Sequence, residues 1–272
     1  MRRVAIPMRP ISVITLTQNE EAKIGRCLES VRWADEIVVV DSFSQDRTVE
    51  ICREYTDRVI QREYRWYSDQ ITFAIQQARN EWVFILDADE EATPELCAEI
   101  RGRVTPDSPF NGFYVPRKLM VNGRWMRFGG QYPDAQLRLF ARDLIQWSTR
   151  RVHAPKSVPE PTTHLQHALL HYSYDSLSDL IRRLETYSNR QAHDLFHEGR
   201  RVGCGYLAAR LGEQFVKRYV LQGGFRDGTW GLILAASHAY YVFAVFAKVW
   251  ERQQTADSEQ RTANGNDTAP DP

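Results

Sequence analysis

The residues best placed to do chemistry together are Asp87-Ala88-Asp89-Glu90, directly after the apolar run that starts at Trp82. In an extended chain, residues two apart project to the same side, so the spacing predicts that the Asp87 and Asp89 carboxylates converge while Ala88 turns inward. Converging carboxylates repel unless a cation lies between them. A hard divalent ion, Mg²⁺ or Mn²⁺, meets that need, because it accepts one or two carboxylates and fills its other positions with water and phosphate oxygens. Acids here could also cap a following helix, but Thr93-Pro94 already supplies a capping hydroxyl and a first-turn proline.

Two earlier segments end in the same manner. Asp41 closes EIVVVD, and Ser42, Ser44 and Asp46 after it make a polar turn able to hydrogen-bond a base or ribose, although a plain turn role reads equally well. Thr17, Asn19 and Glu20 follow ISVITL, where capping is the competing reading. Three strand ends therefore offer polar or acidic groups to one edge, the crevice in which open α/β sheets bind ligands. A nucleotide diphosphate held through its metal fits such an edge.

Positioning these groups requires a layered βα framework. From Ile11 to about Val104, short apolar runs alternate with helical patterns: strands at Ile11–Leu16, Glu36–Asp41, weakly near Val59 and Ile60, and Trp82–Asp87. Between them lie helices carrying Ile24, Leu28 and Val31, then Val49, Ile51 and Cys52 behind a Ser44/Asp46 cap, then Ile71, Ala74, Ile75 and Ala78. Glu20 and Glu21 are expected in the first turn of the first helix. After Pro106 the pattern becomes strands, with a turn at Asn122-Gly123 and an alternating QLRLF strand. From Ser176 it turns helical: a stripe of Leu177, Leu180, Ile181, Leu184 and Tyr187, then helices over about 204–221 and 230–250. The expected organisation is a nucleotide-binding half (1–106), acceptor-side strands and loops of the same domain (107–175), C-terminal helices (176–251) and a polar, disordered tail (252–272).

Lys and Arg total 35 against 35 Asp and Glu in 272 residues, a balance that argues against a nucleic-acid partner, whose phosphates require a basic surface. Cys27, Cys52, Cys97 and Cys204 are widely separated, so neither a zinc site nor a disulfide framework is indicated. The basic opening MRRVAIPMRP lacks an apolar core, and the expectation is a cytoplasmic protein. Trp230 to Ala247 carries no Asp, Glu, Lys or Arg, but Ser237, His238, Tyr240 and Tyr241 make it a poor lipid-facing span. With Arg200, Arg201, Arg210, Lys217, Arg218 and Arg226 before it, peripheral contact with the inner face of a membrane is expected, against the alternative of a helix packed in a soluble core.

ISVITLTQNEE, WADEIVVVDSFSQDRTVEI and WVFILDADEEATPEL resemble the nucleotide-binding half of the inverting family 2 glycosyltransferases. Trp33-Ala34-Asp35-Glu36 points towards the branch that includes lipopolysaccharide-core β-glucosyltransferases. The likeness continues through YPDAQLRLFARD, HYSYDSLSDLIRRLETYS and GGFRDGTWGLILAASHAYYVF. The resemblance implies a single α/β domain of the Rossmann-like GT-A type with a C-terminal helical extension. It implies a divalent cation, a nucleotide-sugar donor (a UDP-sugar) and a glycolipid or cell-envelope polysaccharide acceptor. It places Leu16, Thr17, Glu20, Asp41, Gln70, Asp87 and Ala88 at the donor, Asp87, Asp89 and His153 at the metal, and Asp134 as general base of a single displacement. The chain departs from the family at Ser68-Asp69-Gln70-Ile71-Thr72, where a basic residue is missing, and at Val152-His153-Ala154, where a carboxylate is missing. Arg150 and Arg151 offer compensating charge. Two other readings stay open: transfer to a polyprenyl phosphate, and a catalytically weakened membrane-associated binding protein.

Overall fold

The computed structural model describes residues 8–147 and 156–265, with side chains as far as Glu259. Arg150, Arg151, Val152, His153 and Ala154 lie outside the described residues, as do 266–272. The chain divides into two compact units, one running to Met126 and resuming over Gln131–Ser173, the other made of Arg127–Gly130 and the chain from Tyr174.

The first unit opens with β1 (Ile11–Thr17), α1 (Ile24–Ser30), β2 (Glu36–Asp41), α2 (Thr48–Arg53), β3 (Val59–Gln61), α3 (Tyr67–Gln77) and β4 (Trp82–Ile85). It continues through β5 (Glu90–Ala92), α4 (Pro94–Arg103), β6 (Gly112–Val115), β7 (Arg117–Val121), β8 (Arg124–Met126), β9 (Gln136–Ala141), β10 (Gln146–Trp147), β11 (Lys156–Ser157), β12 (Thr162–His164) and β13 (Leu169–His171). β1, β2 and β4 are buried almost throughout, as unbroken Val/Ile runs require when helices cover both faces of a parallel sheet. Alternation divides their side chains between two cores. Ile11 and Val13 pack with Ile24, Leu28 and Leu96 on one face, and Ile14 and Val40 with Ile71 and Ile75 on the other.

The seven-stranded sheet has the order β12-β6-β9-β4-β1-β2-β3. β3, β2, β1 and β4 are parallel, whereas β9 inserts antiparallel between β4 and β6. β9 thereby carries its central arginine beside the end of β4. A second sheet, β5-β13-β7-β8, starts where the acidic motif ends, and its register sets His171 against Glu90. The β7–β8 hairpin turns at Asn122-Gly123 with φ of 47° and 72°, the left-handed pair that the dipeptide forecast.

Some local expectations differ from the structure. α1 starts at Ile24, so Glu20 and Glu21 precede it. The carbonyl of Glu20 accepts from the Lys23 and Ile24 amides at 2.9 Å each. Ser44 does not cap α2, because its hydroxyl turns to Asp41, whereas Asp46 does accept from the Thr48 amide at 3.0 Å.

The second unit contains α5 (Leu177–His197), α6 (Cys204–Val216), a π-helical turn (Lys217–Leu221), a 3-10 turn (Gly224–Asp227) and α7 (Gly228–Gly265). The predicted α5 stripe is only partly used: Leu180 is buried, but Leu177, Ile181 and Tyr187 are exposed, and Ser188 and Ala192 face inward instead. Residues 252–265, expected in a disordered tail, continue α7. The cause is tertiary: buried Gln253 accepts from the Val202 amide at 3.2 Å, and Asp257 pairs with Arg201 at 3.3 Å.

Candidate active site

The ends of β1 and β2 are tied together before any ligand is considered. The Ser42 amide donates to the Thr17 carbonyl (2.9 Å), the Gln18 amide group to the Ser42 carbonyl (3.0 Å), and the Asn19 amide to the Ser44 hydroxyl (2.8 Å). The Gln45 amide in turn donates to Asn19 Oδ1 at 2.8 Å. Asn19 sits at φ 53°, a left-handed conformation its short amide tolerates. Asp41 is fully buried. Its carboxylate accepts from the Ser44 amide (3.0 Å), Ser44 Oγ (2.5 Å) and Gln61 Nε2 (3.1 Å), so it organises its own turn as well as ending β2.

Gln70 is also fully buried, with its amide committed to protein groups: Nε2 to Ser42 Oγ (3.2 Å) and the Arg62 carbonyl (3.3 Å), Oε1 to Arg62 Nη1 (2.8 Å). Leu16 is partly buried beside this corner, and Glu20 lies 3.9 Å from Lys23. Thr17 Oγ1 is different in kind, since it is buried and has no hydrogen-bond partner among the described residues. A buried hydroxyl left unpaired is costly. A ligand polar group at this corner would relieve that cost, so the residues present fit a nucleotide.

At the end of β4 the chain turns at Ala88 and Asp89, so the strict two-residue alternation of an extended strand does not apply. Ala88 is buried, as expected. Asp87 shares a protein cation with Glu90 rather than with Asp89. Arg138 of β9, 3% exposed, places Nη2 2.5 Å from Asp87 Oδ2 and 2.7 Å from Glu90 Oε1. Glu90, with no side-chain exposure, also accepts from the Asp87 amide (3.0 Å) and from Arg117 Nη1 (3.2 Å). Burial alone would raise the pKa of Asp87, but the Arg138 guanidinium, helped by Arg117 and Lys156, holds it well below the usual carboxylate range.

Asp89 faces elsewhere. Its Oδ2 is 3.5 Å from His171 Nε2, and its carbonyl accepts from the Tyr172 amide at 2.9 Å. One carboxylate oxygen facing one imidazole nitrogen is a donor set for Mn²⁺ or a similar ion. No group of three or more His, Cys, Asp or Glu is gathered for a metal among the described residues. An ion held by two protein groups, with phosphate and water completing its shell, therefore fits this pair. Asp134 lies in the turn before β9 at φ 31°. Its carboxylate accepts from Arg117 Nη2 (2.5 Å), Arg117 Nε (3.1 Å) and Gln136 Nε2 (3.2 Å). Arg117 thus links the candidate base to Glu90 and so to the Asp87 cluster.

Lys156 on β11 faces the same charges. Burial, reinforced by Arg138 and Arg117 against the pull of Asp87 and Glu90, pushes its pKa down to about 7. A lysine depressed in the folded state costs stability while it must carry charge, and that cost fades as pH rises from about 7 towards the free value of about 10.4. Lys156→Met is therefore expected to raise the denaturation midpoint at pH 6 and to lose most of that gain at pH 10, while weakening nucleotide diphosphate binding. Urea melts at the two pH values and a UDP titration read both effects.

A cleft of about 380 Å³ bounded by Arg32, Glu36, Tyr55, Arg58 and Arg79 opens at the opposite, N-terminal ends of the strands and shares no residue with this cluster.

Residues 12–138 match the family model of glycosyl transferase family 2. That segment is a family 2 glycosyltransferase domain. Relatives extend the likeness beyond that segment. The lipopolysaccharide core biosynthesis glycosyltransferase LpsC of Rhizobium meliloti is 29% identical over 91% of this chain and 94% of its own. An uncharacterized glycosyltransferase of Rickettsia typhi is 29% identical over 90% of this chain and 88% of its own. Among solved structures, the mannosyltransferase PcManGT of Pyrobaculum calidifontis, in complex with GDP-Man and Mn²⁺, superposes with a TM-score of 0.52 at 15% identity, covering 92% of this chain and 90% of that one. The glycosyltransferase fold is thus the GT-A α/β fold with C-terminal helices.

Sequence reasoning missed several of the groups that organise this candidate site. His171 was visible within HYSYD, but only pairing of β13 with β5 reveals its approach to Asp89. Arg138 had a signal, a charge alternating with leucines in QLRLF on a strand otherwise buried. Glu90 belonged to the acidic run that the sequence singled out, but Arg117 and Lys156 had no signal that local spacing could supply.

Proposed function

We propose that the enzyme moves a hexose from a UDP-sugar to a hydroxyl of a glycolipid acceptor, such as lipopolysaccharide core, by a single inverting displacement at the cytoplasmic face of a membrane. The observation that carries this reading is the approach of Asp89 Oδ2 to His171 Nε2 beside an Asp87 neutralised by Arg138. It is supported by the unpartnered Thr17 hydroxyl at the neighbouring corner. The name of the LpsC relative supports the acceptor class.

On this reading, Thr17 and Asp41 receive the nucleoside, with Gln70 and Ser42 fixing the Asp41 turn from behind. Asp89 and His171 would hold a divalent cation, whose positive charge offsets that of the departing diphosphate. Lys156 adds positive charge on the same side. Asp134, aimed by Arg117, takes the acceptor hydroxyl proton as that oxygen bonds to the anomeric carbon and the bond from that carbon to the diphosphate oxygen breaks.

UDP in the presence of Mn²⁺ or Mg²⁺ is expected to raise the Tm of the purified chain more than UDP alone, and a panel of nucleotide sugars should show turnover with one nucleotide. Equal stabilisation with and without metal would remove the cation assignment. A mild-acid-labile lipid-linked sugar as product would replace the hydroxyl acceptor with a lipid phosphate.

A further inference from the structure

The helical unit concentrates its exposed apolar side chains where α6 gives way to the π-helical turn. Val216 is 48% exposed, Val220 53%, Phe225 55% and Leu221 76%. Their neighbours are fixed inward. Arg218 Nη1 donates to the Gly129 carbonyl at 2.8 Å, and buried Asp227 accepts from the Arg127 and Phe128 amides at 3.0 and 2.9 Å. Gly224 is buried so closely against the Arg218 carbonyl that a Cβ would collide with it. The turn is therefore anchored by its polar and glycine residues while its apolar residues project outward.

Two exposed cations flank them, Lys217 and Arg226, the latter with its guanidinium 4.6 Å from the centroid of the Phe128 ring. Nearby acids are already engaged: Glu213 pairs with Arg210 at 2.7 Å, and Asp227 faces backbone amides. The segment thus exposes apolar side chains together with two cations.

α7 itself does not read as a bare span, although it is long and apolar enough by composition. Its Tyr241 hydroxyl donates to Gln191 Oε1 (2.5 Å), and Lys248 Nζ contacts Ser188 Oγ (2.8 Å) and Glu185 (2.9 Å), so one side packs on polar groups of α5.

We propose that the tip formed by Val216, Lys217, Val220, Leu221, Phe225 and Arg226 seats the enzyme on an anionic bilayer. The apolar side chains enter the boundary between headgroups and acyl chains, and Lys217 and Arg226 meet lipid phosphates. This deepens the proposed function, since it rests on the acceptor being membrane-borne. A bilayer is the occupant favoured by charge complementarity, because the exposed apolar residues lie alongside two exposed cations, Lys217 and Arg226.

The full chain should be co-sedimented with phosphatidylcholine vesicles made with and without phosphatidylglycerol. Binding is expected only with the anionic lipid and should weaken as salt is raised. Lys217→Glu and Arg226→Glu should each reduce the partition coefficient about fivefold or more, and Leu221→Glu with Phe225→Glu at least tenfold. The Tm increase caused by UDP and metal, measured without vesicles, should be unchanged in these variants. That readout separates failure of the surface from failure of the glycosyltransferase reading. The salt response of the wild type tests the surface even where a variant does not fold. Binding to neutral and anionic vesicles alike, or retention of full binding by the folded variants, would overturn the proposal. So would a wild-type dimer in vesicle-free sedimentation that the same substitutions dissociate, which would make the tip a contact between copies.

Discussion

Asp89→Ala is expected to lower sugar transfer about 10²- to 10³-fold, the usual range for removing one group that stabilises charge developing in a transition state. It should also abolish the difference between assays with and without Mn²⁺. The two losses belong together because Asp89 and His171, with Oδ2 and Nε2 3.5 Å apart, are the pair proposed to hold the cation. His171→Ala should act in the same direction. UDP affinity measured with chelator present should barely change in either variant, because the corner of Thr17 and Asp41 is elsewhere in the crevice. A metal response that survives Asp89→Ala would sink the assignment. Ala88 offers a useful contrast: it is buried in the core, so a larger residue there should reduce stability before it affects metal response.

Arg138→Met should be the most damaging single substitution for stability, costing about 3–5 kcal/mol. The methionine fills much of the space but leaves fully buried Glu90 and partly buried Asp87 without the cation that touches both. The acid limb of the stability profile reports this. Asp87 has its pKa depressed in the folded state, so its contribution is complete above the unfolded value of about 3.9 and is lost as pH falls towards the folded one. In Arg138→Met that contribution disappears, and stability should depend less on pH between about 5 and 2. Chemical melts over that range compare the two proteins directly. An unchanged acid limb would show that Arg138 is not what holds Asp87 ionised.

The contrast between these residues shows what the chain made legible. The parallel half of the sheet could be read because each strand is a continuous apolar run and each helix has its own periodicity, both local properties. The acids at the strand ends were legible for the same reason. The carboxylate cluster was not, because its partners arrive from far along the chain: Arg138 is 51 residues from Asp87, and His171 reaches Asp89 only through antiparallel pairing of β13 with β5. The stripe on α5 misled for a different reason. Helical periodicity identifies an apolar face but not what covers it, and Leu177 and Ile181 remain exposed. The helix beyond residue 251 looked like a tail because its composition is polar; contacts of Gln253 and Asp257 with distant residues extend it.

The stitching between the loops after β1 and β2 bears on how the enzyme would meet its donor. Four hydrogen bonds join Thr17, Gln18, Asn19, Ser42, Ser44 and Gln45 into one intramolecular network. Little backbone freedom remains to be surrendered when a base docks, so binding free energy goes into contact rather than ordering. Capture at this corner should then resemble a key entering a cut lock, with an association rate set by encounter and orientation rather than by loop closure.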